Sequence, residues 1–187
     1  MNYQHYTYEQ LAHALYLKGE SDGYSKVTDK TKWREPVMAE KLGHTAHAKI
    51  SAGAGSDEYG SDAYDTKNEI YAEYKSQAIN DDQVRNLLGQ KIGKRTAAPL
   101  TVSGVYNGAY KNSAIEAYTK VDHYFGVFYK EMCVLIVKPK TPVVISQLVA
   151  NNNKRKPGAT TNLNTVKINL ADTHLYDLVY DNTQEIE

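Results

Sequence analysis

The chain lacks most of the features that take a protein out of the ordinary aqueous class. One cysteine in 187 residues, Cys133, excludes an internal disulfide framework and a cysteine-built zinc cage. The longest apolar run, Met132 to Val137, is far too short to span a bilayer. The opening M-N-Y-Q-H-Y-T-Y-E-Q has no basic stretch followed by an apolar one, the pattern of a secretory signal. These absences predict a cytoplasmic protein with no membrane partner. Net charge is missing too: 22 Lys and Arg balance 22 Asp and Glu. That balance alone argues against a polyanionic partner, but the distribution does not. Residues 91–167 hold 12 basic residues against three acids (Glu116, Asp122 and Glu131), a balance of +9, and the remainder holds 10 against 19, a balance of −9. A chain divided in this way predicts one surface turned toward a polyanion and another turned away.

What is present reads as interleaved helices and strands. Thr7 and Gln10 form a capping-box pair for a helix over about 8–18 that Gly19 closes. A second helix is expected from about Trp33 to Leu42, with Pro36 in its first turn and Gly43 as its stop. Strand-like segments follow at His47–Ser51, around residues 62–77, and at Leu100–Tyr106, His123–Tyr129, Met132–Val137 and Thr165–Leu170. Helices are expected after Asp81 or Asp82, over Asn112–Val121, and over Pro142–Asn152, where a Val-Val-Ile run leaves a strand open. The pattern contains no internal repeat. It predicts a single α/β domain with a central mixed β-sheet flanked by helices.

Several familiar catalytic frames are missing. The glycine-rich stretch A-G-A-G-S-D-E-Y-G lacks the terminal Gly-Lys-Ser/Thr of a phosphate loop. No serine sits in a Gly-x-Ser-x-Gly elbow. His44, His47 and His123 lack a matching cysteine or acid pair, so they read as surface or supporting residues before they read as zinc ligands. The 16 tyrosines read mostly as packing residues at strand spacing, such as Tyr124 and Tyr129. The polar segment Tyr106–Ser113 is expected instead to reach toward a groove.

The informative stretch is G-S-D-A-Y-D-T-K-N-E-I-Y-A-E-Y-K-S-Q, residues 60–77. A turn centred on Lys67-Asn68 places Thr66 opposite Glu69, Asp65 opposite Ile70 and Asp62 opposite Glu73. Side chains alternate along strands, so Asp62, Glu73 and Lys75 share one face while Ile70, Ala72 and Tyr74 share the other. Two carboxylates facing each other across a hairpin repel, and a divalent cation removes that cost. Mg²⁺ takes hard oxygen ligands, commonly one or two carboxylates plus water and substrate oxygens. If the turn held three residues, Asp65 would replace Asp62 on the face of Glu73.

Asp62 followed by Glu73-Tyr74-Lys75 resembles the signature of the PD-(D/E)xK nucleases, the superfamily of most type II restriction endonucleases. The surrounding order is similar as well: helix, strand, Asp strand, Glu-x-Lys strand, helix, strand. The resemblance covers about residues 33–106 as a pattern and only the hairpin as a motif. Ser61 stands where the signature has proline. The resemblance implies Mg²⁺-dependent cleavage of double-stranded DNA, with Mn²⁺ as a substitute, usually by a homodimer at a short palindrome. It implies that Asp62 and Glu73 bind the metal and that Lys75 serves the attacking water. Asp65, Glu40 or Glu35, and Gln77 are the possible accessory residues. Segments 1–32 and 107–187 are then expected to supply recognition and dimerisation around a catalytic core at 33–106. Within Asn151–Asn164, the residues Asn153, Lys154, Arg155 and Lys156 have side chains suited to reading bases, while Lys91, Lys94 and Arg95 are suited to phosphate. The alternatives are a structure-specific or nonspecific nuclease of the same fold, such as the Holliday-junction resolvases, and a non-catalytic DNA-binding protein.

Overall fold

The computed structural model describes residues 7–21, 31–46, 61–90, 98–107, 109, 112–155 and 163–186. Helix α1 (Tyr8–Ser21) starts at the expected capping box: Gln10 N–H donates to Thr7 Oγ1 at 3.1 Å, and Thr7 N–H donates to Gln10 Oε1 at 3.0 Å. Helix α2 (Thr31–Leu42) begins earlier than its sequence predicts, so Pro36 lies inside the helix rather than in the first turn. Gly43 closes it at φ 68°, a conformation that glycine adopts without a Cβ penalty. Helix α3 (Asp81–Leu87) is capped by Asn80 and not by Asp81 or Asp82, because Asn80 and Gln83 form the reciprocal box. Helices α4 (Asn112–Tyr118) and α5 (Thr141–Asn153) complete the helical set among the described residues. The proline at the start of α5 suits a helix N-terminus, where no N–H is needed, and that settles the Val-Val-Ile ambiguity.

The strands are β1 (Thr45–Ala46), β2 (Ala63–Asp65), β3 (Ile70–Ala78), β4 (Thr101–Asn107), β5 (Asp122–Tyr129), β6 (Met132–Pro139), β7 (Leu163–Asn169) and β8 (Tyr176–Asp181). Six form one mixed sheet in the order β1-β2-β3-β5-β6-β8, and β4 pairs with β7 in a separate antiparallel sheet. Within the large sheet β3 and β5 are parallel and the other pairs antiparallel. The fold is therefore α/β, with a central mixed sheet flanked by helices. A parallel pair needs a crossover, and the chain makes it through α3, β4 and α4. The strand at 101–107 thus leaves the main sheet, and β5 takes the place beside β3. β5 and β6, which belong to the segment 107–187, are interior strands of the sheet.

Each face of the sheet carries its own core. On one side Val37, Met38 and Ala39 of α2 pack with Ala63, Ala72, Tyr74, Tyr124, Phe128 and Ile136. On the other, Val102, Val166 and Ile168 of the small sheet and Val144 and Leu148 of α5 pack with Phe125, Val127 and Val137. Lys130 and Glu131 join β5 to β6 with φ of 49° and 61°, the mirror-image turn that matches strand twist. Glu131 is buried there and receives a bidentate pair from Arg34 at 2.8 and 2.7 Å. Among the described residues no helix is long and apolar enough to cross a membrane.

Candidate active site

The β2–β3 hairpin has the register that its turn predicts: Asp65 is paired with Ile70 and Ala63 with Ala72, which sets Asp62 level with Glu73. The positive φ falls on Glu69, at 54°, rather than on Asn68. Asp65 stabilises the turn. Its Oδ1 accepts from Lys67 N–H at 2.9 Å and Asn68 N–H at 3.1 Å, and its Oδ2 accepts from Asn68 Nδ2 at 2.6 Å. Burial alone would raise the Asp65 pKa, but these donors and nearby His44 outweigh it and hold the carboxyl below its usual range. The register puts Asp65 on the face opposite Glu73, with His44 Nε2 at 3.5 Å. Of the two aspartates, Asp62 shares the face of Glu73.

Asp62 and Glu73 are both buried, at 6% and 5% exposure, which is unusual for carboxylates. Asp62 Oδ2 accepts the Tyr74 N–H at 2.7 Å, and Asp62 N–H donates to Ala72 O, so the aspartate is fixed at the mouth of the hairpin. Lys75 Nζ makes an ion pair with Glu73 Oε1 and lies 4.9 Å from the centre of the Tyr106 ring. Burial works against the charge on Lys75, but Glu73 and Asp62 more than offset it, and the pKa is raised. The ammonium form therefore holds at neutral pH, suiting Lys75 to donate hydrogen bonds and stabilise negative charge rather than to act as a base.

Searches against protein-family models and against curated proteins return no match to this chain.

Three residues that the sequence did not single out for this site border it. His123 of β5 is level with Glu73 in the parallel pairing and fully buried. Its Nε2 faces the Tyr118 carbonyl at 3.0 Å, which requires the proton on that nitrogen, so Nδ1 accepts the Tyr106 hydroxyl at 3.1 Å. Burial and the charge of Lys75 lower the His123 pKa to about 4, although the Tyr118 bond opposes the shift. The imidazole is neutral at pH 7 and committed to its two partners, which removes it from any zinc set. Tyr118 packs edge-on to Tyr106 at 5.0 Å, and its pKa is pushed up to about 12, first by burial and then by Glu73. The only signal for these partners was strand parity, and it could not show which distant strand lies beside β3.

The remaining sequence candidates lie elsewhere or have other work. Glu40 accepts from Tyr8 N–H at 3.3 Å, joining α2 to α1 rather than reaching the carboxylate pair. Gln77 binds β3 to β4: its Oε1 accepts from Ser103 N–H at 3.0 Å and Ser103 Oγ at 3.2 Å, and Nε2 donates to Thr101 O at 3.4 Å. His44 Nδ1 lies 2.7 Å from the Tyr74 hydroxyl on the opposite face. Asn153 and Lys154 are exposed at the end of α5 and Arg155 is half-buried, while Lys156, Lys91, Lys94 and Arg95 lie outside the described residues. The expected loop at 151–164 begins as helix, and its other asparagines are structural. Asn151 Nδ2 donates to Asn164 Oδ1 and to Thr165 O, both at 2.8 Å, and Asn152 Nδ2 donates to Ala109 O at 2.8 Å. Tyr106 and Ala109 are fully buried and so do not reach into a groove.

Among the described residues no group of three or more His, Cys, Asp or Glu converges as a metal cluster. The pair Asp62 and Glu73 nonetheless fits Mg²⁺ in ligand type and number, because that ion keeps several waters and commonly takes one or two carboxylates. Both carboxylates are buried and Glu73 is paired with the Lys75 ammonium, and a divalent cation held there would be the largest local charge of the site.

Proposed function

We propose that this protein is a Mg²⁺-dependent DNA endonuclease of the PD-(D/E)xK kind, working at Asp62, Glu73 and Lys75. The observation that carries the reading is the arrangement on one face of a hairpin: two buried carboxylates level across adjacent strands, with a charged lysine paired to the second. Asp62 and Glu73 would hold the ion. When bound, Mg²⁺ supplies charge stabilisation to a phosphoryl group in transit. Lys75 orients the attacking water and donates to the phosphate oxygen that gains charge. Overall, water oxygen bonds to phosphorus, the ester P–O bond breaks, and the leaving oxygen takes up a proton. DNA as substrate rests on the basic balance of residues 91–167. A type II restriction enzyme acting as a homodimer is the specific form of the proposal.

Incubation of the protein with plasmid and Mg²⁺, with and without a chelator, tests it. Discrete fragments that vanish on chelation are expected, and mapping their ends gives the recognition sequence. A smear redirects the reading to a nonspecific nuclease. Cutting confined to branched DNA redirects it to a structure-specific one. Binding without cutting, across several substrates, methylation states and both Mg²⁺ and Mn²⁺, would leave a non-catalytic DNA-binding protein.

A further inference from the structure

Lys75 is held from several sides, by Glu73 of its own strand and by two residues of the small sheet. Gly104 of β4 lies against its aliphatic stem: a Cβ added there would fall 2.5 Å from Lys75 Cγ, 2.7 Å from Lys75 Cβ and 3.1 Å from Phe125 Cζ. The first two distances are shorter than carbon atoms tolerate, and Lys75 Cβ cannot retreat because it is fixed to β3. The φ of Gly104 lies outside the left-handed region, so room, not backbone conformation, makes glycine necessary here. Two residues further along β4, Tyr106 sets its ring under the ammonium at 4.9 Å. That ring is held in place by full burial, and its hydroxyl is also tied to His123, which is tied to the Tyr118 carbonyl. Gln77 fixes the level of the two strands through its three bonds to Thr101 and Ser103.

We propose that β4 is the positioning element for Lys75: Gly104 opens a slot for the stem, Tyr106 fixes the ammonium beside Glu73, and Gln77 sets the register that brings both opposite the lysine. The consequence for cleavage rests on the nuclease reading above, whereas the placement of the lysine does not. A displacement of about 1 Å in a reacting group costs on the order of 100-fold in rate.

The test begins without metal or DNA. In full-length protein carrying ¹³C-lysine, the ¹³Cε–¹Hε cross-peak of Lys75 is identified by its loss in Lys75→Met. It is expected upfield of the other lysines because of the Tyr106 ring. Tyr106→Phe retains the upfield position, Tyr106→Leu moves the signal to that of an exposed lysine, and Gly104→Ala displaces it. An unchanged cross-peak in Tyr106→Leu overturns the proposal, and the Tyr106 pair decides even if Gly104→Ala fails to fold. In the plasmid assay, Tyr106→Leu is expected to cut on the order of 100-fold more slowly with DNA binding retained, and Tyr106→Phe to recover most of that loss. Equal cutting by Tyr106→Leu and the native protein also overturns it. Shifts that behave as expected in a protein that cuts nothing would sink the nuclease reading and leave the positioning intact.

Discussion

Replacing Lys75 by methionine removes the ammonium while leaving an unbranched stem in the slot beside Gly104, so packing changes little and charge changes a great deal. Glu73 loses the Lys75 ammonium at a site where its side chain is 6% exposed, and Lys75 itself is 17% exposed. Breaking a buried pair by deleting one member costs about 3–5 kcal/mol, and the partial exposure of the lysine points to about 3 kcal/mol. For a chain of 187 residues, each kcal/mol is worth roughly 2–4 °C, so the metal-free melting temperature should fall by about 6–12 °C. Urea and thermal denaturation followed by circular dichroism, in chelator at pH 7.5, measure this directly. Added Mg²⁺ should then return about 2.7 kcal/mol at 100 times its dissociation constant, while cleavage stays lost because a bound ion does not replace the lysine's hydrogen bonds. A Lys75→Met protein as stable as the native one in chelator, and indifferent to Mg²⁺, would refute the claim that the three groups converge.

Other outcomes follow from the same contacts. His123 has a native pKa of about 4 against about 6.5 unfolded; below pH 6.5 the unfolded chain binds a proton that the native one refuses. Native stability should therefore fall by about 3 kcal/mol more than that of His123→Gln as pH drops from 6.5 to 4, and parallel pH profiles would dismiss the assignment. Asn164 is 3% exposed and its Nδ2 lies within reach of Leu148 O, Asn152 Oδ1 and Ala109 O. Asn164→Ala should cost about 2–3 kcal/mol in urea denaturation, and a loss below about 0.5 kcal/mol would show that the network is dispensable. If Lys154 touches phosphate, Lys154→Ala should weaken DNA binding and reduce the slope of log K against log salt by about 0.9, which fluorescence anisotropy at several salt concentrations checks; an unchanged slope removes Lys154 from the interface.

Much of the fold was legible because its signals are local. The Thr7–Gln10 box, the Pro142 start of α5 and the nearly unbroken apolar runs of β5 and β6 each depend on residues within one turn or one strand. β8 went unread because it is an edge strand: Leu178 and Val179 are exposed at 54% and 39%, so no apolar alternation marks it. The place of β4 outside the main sheet was also unreadable, because a strand's own residues do not say which neighbour it will pair with. The structural roles of Asn151, Asn152 and Asn164 were unreadable for a related reason, since composition gives their polarity and not the backbone carbonyls that accept from them.

The sequence by itself determined that Glu73 and Lys75 share a face, because side chains alternate along a strand, and it narrowed the facing aspartate to Asp62 or Asp65. The register of the folded hairpin chose Asp62. Tertiary structure decided their environment: the burial of both carboxylates, the neutral His123 alongside and the strand laid over Lys75. Those depend on contacts between segments 26 to 50 residues apart, and burial and electric field are properties of the assembled chain rather than of any stretch of it.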